Sequence, residues 1–176
     1  MPELPEVTIV VRSLNGVTKG LVLEGVEYDW DPKFYWNGFS IDDIKGAKVK
    51  GFRRIGKVII CDLNNGFSIV IHLKLTGQLI YLDNKTRVGG GHPIPPLNKP
   101  LPNSTTRVTF AFGNGGHLYF NDMRKFGWVK VIKTNELDQN SFYKGLGPEP
   151  LDKEFTIEVL KERLLKHKAW PVKVVI

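Results

Sequence analysis

The chain has 176 residues, 41% of them hydrophobic and 24% charged, which is enough apolar sequence to bury a core in a soluble globular domain. Its formal charge of +7 favours an anionic partner such as nucleic acid. Cys61 is the only cysteine, which excludes a disulfide framework and a four-cysteine metal site. No apolar run approaches the roughly 20 residues of a membrane span, and no signal peptide precedes the acidic start, so we expect a cytoplasmic protein.

The first element is predicted to be an amphipathic helix. Apolar residues recur at positions i, i+3, i+4 and i+7, namely Val7, Val10, Val11 and Leu14. Pro5 suits the first helical turn, and Glu6 suits the positive end of the helix dipole. Asn15-Gly16 is predicted to end the helix.

Pro2 and Glu3 lie outside this helix and need another explanation. Methionine aminopeptidase removes Met1 when the next residue is small, which would leave Pro2 with a free secondary amine. A secondary amine at an N-terminus can act as a nucleophile. The alternative is that Pro2 only leads into the helix and Glu3 is an exposed acid.

The middle of the chain predicts a mainly β structure of the α+β class. Eight short runs rich in β-branched and aromatic residues lie between residues 21 and 132, separated by turn sequences such as "NNG" and "GNGG". They indicate an antiparallel eight-stranded β-sandwich or flattened barrel, flanked by an N-terminal and a C-terminal helix. Residues 89–104 hold three glycines and five prolines, which predicts a long irregular loop.

The sequence changes character after residue 140, so we predict a domain at 1–140 and a linker with a helix at 141–176. "TIEVLKERLLKHK" favours a helix with Ile157, Leu160 and Leu164 on one face, ended by Pro171. The chain stops at the apolar segment "VKVVI", so we expect a fragment of a longer polypeptide.

Five motifs resemble the formamidopyrimidine-DNA glycosylase family, which includes the endonuclease-VIII-like enzymes. They are "MPELPEV" at 1–7, "RRIGKVIICDL" at 53–63, "IHLKLTGQL" at 71–79, "FNDMRKFG" at 120–127 and "LGPEPL" at 146–151. The resemblance covers the first half of a family member. It implies that a second domain, with a helix–two-turn–helix element and a zinc finger, is absent, so we expect no metal and no cofactor in this chain.

The resemblance implies a catalytic group of four residues. Pro2 would attack C1′ of a damaged nucleoside and form a Schiff base, which leads to β,δ-elimination. Glu3 would transfer protons, and Glu6 would orient the site. Lys57 would contact phosphates around the lesion and assist elimination, although by itself it reads as a solvated lysine at a strand edge.

The resemblance also implies residues that bind DNA. His72, Arg54 and Lys125 would contact phosphates, which fixes the protein on the duplex without reading sequence. Leu75, Arg124 and Phe126 would fill the gap left by a flipped nucleotide.

Two positions depart from the family pattern. Leu75 stands where the family usually has methionine, and Thr8 stands where it usually has an acid.

Three functions therefore stand after the sequence alone. The first is the catalytic domain of a base-excision DNA glycosylase and AP lyase, a monomer that acts on oxidised purines such as 8-oxoguanine and formamidopyrimidine in damaged double-stranded DNA. The second is a non-catalytic or truncated damaged-DNA-binding module of the same fold. The third is a β-sandwich interaction module that is basic for unrelated reasons.

Overall fold

The computed structural model describes residues 1–29, 33–137, 139, 143 and 146–175. The chain forms two compact units, Met1–Leu137 and Asp138–Ile176.

The first unit is a sandwich of two five-stranded sheets. Its strands are β1 Leu23–Tyr28, β2 Phe34–Tyr35, β3 Val49–Ile55, β4 Val58–Leu63, β5 Phe67–His72, β6 Gly77–Leu82, β7 Arg87–Gly91, β8 Thr106–Phe112, β9 His117–Asp122 and β10 Trp128–Lys133. One sheet has the order β1-β8-β9-β6-β7, and the other has the order β2-β10-β5-β4-β3. All neighbours are antiparallel except β2, which pairs in parallel with β10.

The predicted sandwich is confirmed, with ten strands among the described residues instead of eight. The two unpredicted strands are β2, which has only two residues, and β7, which has the sequence "RVGGG". Glycine is depleted in strands, but here it is needed. A Cβ on Gly89 would lie 2.0 Å from the carbonyl oxygen of Leu79 on β6. Close backbone approach therefore forms a strand that propensity does not predict.

The N-terminal helix α1 spans Leu4–Thr18, and its predicted apolar stripe is buried. Its end was predicted wrongly, because the helix continues past Asn15-Gly16. The Asn15 side chain donates from Nδ2 to the Phe52 carbonyl and accepts from the Phe52 N–H through Oδ1, both at 2.6 Å. Asn15 thus docks the helix on β3 instead of ending it.

The core lies between the two sheets and under α1, which packs against β3 and β7, an edge strand from each sheet. Large side chains with almost no exposure include Leu14 of α1, Ile71 of β5 and Phe120 of β9. The helix therefore bridges the two sheets at one side of the sandwich and holds its N-terminus in a fixed place.

The segment after β7 is held by hydrogen bonds to the sheet. Gln78 Nε2 donates to the carbonyls of His92 and Pro95, at 2.7 and 2.6 Å. The Arg87 guanidinium donates to the carbonyls of Leu97 and Lys99. The predicted loop thus begins after Gly91 and has a defined path over the sheet.

The second unit contains helix α2, Ile157–Lys166, and the single-turn helix α3, Val172–Val175. Thr156 caps α2 by accepting from the Val159 N–H. The predicted helix is present, but it ends at Lys166, before Pro171, and Ile157 on its predicted apolar face is 79% exposed. No helix among the described residues is both long and apolar enough to cross a membrane.

Candidate functional site

One end of the sandwich, called the site end below, collects the predicted functional residues. The strand register aligns Val58 at the start of β4 with His72 at the end of β5 and Trp128 at the start of β10. Gly77 at the start of β6 pairs with Asp122 at the end of β9. The turn 73–76 and the loop 123–127 therefore both cross between the two sheets at this end.

Glu3 and Lys57 meet at the site end although 54 positions separate them. Glu3 is the N-cap of α1, and its backbone N–H donates to Oε2 of Glu6 at 3.0 Å within a capping box. Lys57 follows Gly56 in the turn between β3 and β4, and its ammonium donates to Oε2 of Glu3. Pro2 precedes Glu3 and is buried, whereas Met1 is exposed. The four predicted catalytic residues thus cluster around the first turn of α1.

Arg54 connects this cluster to the body of the helix. Its Nε donates to Oγ1 of Thr8 at 2.8 Å, and its Nη1 donates to the carbonyl of Gly56 at 3.4 Å. Thr8 in turn donates to the carbonyl of Leu4 at 2.8 Å. At the position where the family pattern has an acid, this chain therefore has the Thr8 hydroxyl, which accepts from Arg54. Arg54 positions the turn that carries Lys57.

His72 lies close enough to Lys57 and Lys74 to feel both charges. Its Nδ1 accepts from the backbone N–H of Lys74 at 3.0 Å, which places the ring proton on Nε2. Burial, together with the charges of Lys74 and Lys57, lowers the pKa of His72 to about 4. At neutral pH the ring is therefore uncharged, so it can reach a phosphate only as a neutral N–H donor.

Asp122 holds the two loops of the site end together. Its side chain is fully buried, and Oδ1 accepts from the Thr76 hydroxyl and from the Arg124 N–H, the latter at 3.2 Å. Oδ2 accepts from the Gly127 N–H at 2.7 Å. The Arg124 N–H also reaches Thr76 Oγ1 at 3.1 Å. One carboxylate thus fixes both ends of the loop 123–127 and ties it to the turn 73–76.

The predicted wedge residues stand on this base. Phe126 is 47% exposed, and the guanidinium carbon of Arg124 lies 5.1 Å from the centroid of its ring. Lys125 is exposed at the loop tip with φ of 59°, and Leu75 is half-buried in the facing turn. A large aromatic ring left in solvent contributes little to folding, so its position suits contact with another molecule.

Three residues that support the site were not predicted from the sequence: Asp122, Thr76 and Arg107. Arg107 is buried, and its Nε donates to the backbone carbonyl of Asp122 at 2.9 Å while Nη2 donates to the carbonyl of Ser104 at 3.1 Å. Asp122 could have been noticed as the polar residue that ends the apolar strand β9. Its contact with Thr76 could not be inferred from the sequence, because the two residues lie 46 positions apart.

The described residues contain no cluster of three or more His, Cys, Asp or Glu side chains that could hold a metal ion. The expectation that the chain needs no cofactor stays a prediction.

The depressed pKa of His72 predicts a pH-dependent stability. Because the folded value of about 4 lies below the ordinary 6.5, protonation favours the unfolded chain. The contribution is complete above pH 6.5 and is lost as the pH falls from 6.5 to 4, by about 1–3 kcal/mol for this half-buried ring. His72→Asn keeps an acceptor for the Lys74 N–H but does not titrate. Urea unfolding from pH 4 to 7.5 should show a steeper loss for the parent chain, and parallel profiles would contradict the assignment.

Asp122 and Thr76 are predicted to be energetically coupled. Asp122→Asn replaces an accepting oxygen by an NH2 group, which leaves a buried donor unsatisfied and should cost about 1–3 kcal/mol. Combined with Thr76→Val, the effects should deviate from additivity by about 0.5–3 kcal/mol in urea unfolding. Asp83, which accepts from Lys85 and Thr86 at the opposite end of β6, provides the control. Asp83→Asn should add to Thr76→Val within about 0.5 kcal/mol. Additive effects for Asp122 would disprove the coupling.

Comparisons with known proteins agree with this architecture. A sequence model of the formamidopyrimidine-DNA glycosylase N-terminal domain matches residues 1–129. Curated relatives include the formamidopyrimidine-DNA glycosylases of Desulforamulus reducens and Pelotomaculum thermopropionicum, each 36% identical, with 96% of this chain and 57% of the relative covered.

Solved structures of similar fold include the complex between the Lactococcus lactis Fpg and an abasic site containing DNA. Its TM-score is 0.75 at 26% identity, over 94% of this chain and 56% of that protein. The wild-type Lactococcus lactis Fpg with an N7-benzyl-Fapy-dG containing DNA gives 0.75 at 27% identity, with the same coverage. The chain spans a little over half the length of these relatives. The sequence match over 1–129, together with the shared fold, shows that the chain belongs to the formamidopyrimidine-DNA glycosylase family.

Proposed function

We propose that this chain is the catalytic domain of a DNA glycosylase and AP lyase that acts on damaged double-stranded DNA. The observation that carries the proposal is the pairing of Glu3 with Lys57 beside Pro2, at the same end of the sandwich as the exposed Phe126. A fold alone does not assign an activity. This end of the sandwich, however, combines the amine of Pro2, the acid Glu3, the cation Lys57 and the exposed ring of Phe126.

The reaction begins once Met1 is removed. The Pro2 nitrogen attacks C1′ and the bond from C1′ to the base breaks, so that the base leaves with a proton. The opened sugar and the amine form an iminium ion, which acidifies the C2′ proton. Loss of that proton expels the 3′-phosphate by β-elimination, and the 5′-phosphate follows by δ-elimination. A free α-amino group, with an ordinary pKa near 8, is more often neutral than a lysine near 10.4.

Glu3 is the group within reach of these proton transfers. Its side chain is 48% exposed and accepts from Lys57 in the protein without DNA. A DNA phosphate would compete for the Lys57 ammonium, because both partners of the exposed pair remain accessible to solvent. Binding of DNA would then draw Lys57 from Glu3 to the phosphate that later leaves, with the Glu3 carboxylate beside the sugar.

The predicted wedge residues would help the enzyme reach the lesion inside the duplex. A nucleotide in a duplex must leave the base stack before C1′ can be reached, which costs a few kcal/mol. Arg124, Phe126 and Leu75 stand on loops fixed by Asp122, so they can enter the gap without being ordered first. Lys125 and Arg54, with His72 as a neutral donor, would complete the phosphate contacts.

The relatives support a substrate class for this proposal. Their names and complexes concern formamidopyrimidine lesions and abasic sites, and we extend this to oxidised purines such as 8-oxoguanine. This substrate would place the protein with the chromosome, in the cytoplasm of a bacterial-type cell.

The second candidate is a damaged-DNA-binding module without full catalysis. Its basis is the exposed loop with Arg124, Lys125 and Phe126, which could contact DNA whether or not Pro2 reacts. Trapping of a covalent intermediate separates the two candidates.

Borohydride reduction on abasic DNA should trap a covalent adduct at the N-terminus. Pro2→Gly, which leaves only a primary amine, should reduce trapping at least tenfold. Pro5→Ala is the matched control, because Pro5 lies three residues further on, in the first turn of α1, without bearing the terminal amine. Glu3→Gln should reduce excision of 8-oxoguanine more than cleavage of abasic sites. Peptide mass spectrometry that finds the adduct on Lys57 would overturn the assignment of Pro2.

The wedge assignment predicts an effect that depends on the duplex. Leu75→Ala and Phe126→Ala should reduce cleavage of an abasic site in duplex DNA about tenfold, and much less in single-stranded DNA, where no gap opens. Met123→Ala serves as the control, because Met123 is exposed in the same loop but is not a wedge residue. Rates measured on both substrates check the prediction, and equal losses on both would contradict it.

A further inference from the structure

A row of rings and one ammonium crosses three strands of the second sheet. The row consists of His72 on β5, Trp128 and Lys130 on β10, and Tyr35 on β2, and it is called the aromatic strip below. The strand register pairs Trp128 with His72 and Lys130 with Tyr35. The ring centroids of His72 and Trp128 lie 5.6 Å apart. The Lys130 ammonium lies 4.7 Å from the Trp128 ring and 5.3 Å from the Tyr35 ring.

The aromatic strip reaches the surface and carries positive charge. Tyr35 is 37% exposed, and Trp128 and Lys130 are half-buried. A lysine between two rings stabilises a sheet by cation–π contact, and this alone would explain its position. The contact does not explain why the row runs from the site end towards an exposed tyrosine. Positive charge alternating with rings is the pattern that binds single-stranded nucleic acid.

The aromatic strip is continuous with the candidate site. His72 belongs to both, and Trp128 directly follows Gly127, the residue whose N–H is fixed by Asp122. Two inter-strand steps of about 4.8 Å carry the row about 10 Å away from His72 across the sheet. A strand that leaves the site past His72 would therefore meet Trp128 and then Lys130.

We propose that the aromatic strip binds single-stranded DNA that adjoins the lesion, by stacking bases on Trp128 and Tyr35 and placing a phosphate near Lys130. This inference rests on the proposed function for the place of the lesion, but the strip itself does not take part in the chemistry. It would favour lesions next to unpaired DNA, as in gaps, over lesions inside a continuous duplex.

Affinity for two matched DNA molecules tests the proposal. Both carry the same abasic-site analogue, and one continues beyond the lesion as a single strand of about eight nucleotides, with either polarity tested. Fluorescence anisotropy at one fixed salt concentration gives the gain from the extension. For the parent chain we expect a gain of about fivefold or more, as for one base stacked on a ring. Trp128→Leu and Lys130→Gln should abolish the gain and leave the affinity for the blunt duplex unchanged.

Lys133→Gln is the matched control, because Lys133 lies on the same strand and its ammonium sits 5.9 Å from the ring of Phe39, away from the site end. It removes the same charge and the same kind of contact, and it should keep the gain. Trp128→Phe and Lys130→Arg should also keep it, which guards against variants that fold poorly.

Two outcomes would contradict the proposed role of the aromatic strip. One is that the extension gives the parent chain no gain in affinity with either polarity. The other is that Trp128→Leu lowers the affinity for both DNA molecules equally. If the blunt duplex does not bind but the single strand does, with the same pattern among variants, the proposed function fails and the strip stands.

Discussion

The site end depends on one buried carboxylate. Asp122 accepts from Thr76, Arg124 and Gly127, and its own carbonyl accepts from the buried Arg107. Burial of a polar side chain is unfavourable unless its oxygens are satisfied, and here donors from the turn 73–76 and the loop 123–127 satisfy both carboxylate oxygens. Because the turn 73–76 and the loop 123–127 both cross between the sheets at this end, their shared anchor also ties the two sheets together. The exposed residues predicted to act as a wedge are held in place by this buried contact.

The fold was largely predictable because most of its strands have a recognisable local sequence pattern. β-branched and aromatic runs between turn sequences gave eight strands at nearly their observed positions, and the spacing of apolar residues gave α1. The errors share one cause, which is a distant contact that overrides the local signal. Asn15 ends no helix, because its side chain is used by Phe52, and Gly89 joins a strand because the backbone of β6 lies too close for any Cβ.

The candidate site was predictable as a set of residues but not as a set of contacts. The motifs supply Glu3 and Lys57, yet only folding shows that their side chains meet. The charge state of His72 could not be inferred at all, since it follows from burial and from two lysines whose positions depend on the fold. The resemblance groups His72 with the cations Arg54 and Lys125, whereas the structure makes His72 an uncharged hydrogen-bond donor at neutral pH. The Thr8 departure likewise becomes understandable only when Arg54 is seen to donate to its hydroxyl.

The two halves of the site end differ in how they are held, and the difference suits the chemistry proposed for them. Exposed ion pairs contribute little to stability, so the Glu3–Lys57 pair can break without loosening the fold. The contacts around Asp122 are buried, and breaking them would leave unsatisfied groups. Under the proposed function, DNA would therefore rearrange the reactive pair while the predicted wedge keeps its shape. In the proposed mechanism, a rigid wedge beside an exchangeable ion pair would let binding energy open the duplex first, and Lys57 would leave Glu3 only once a phosphate has arrived.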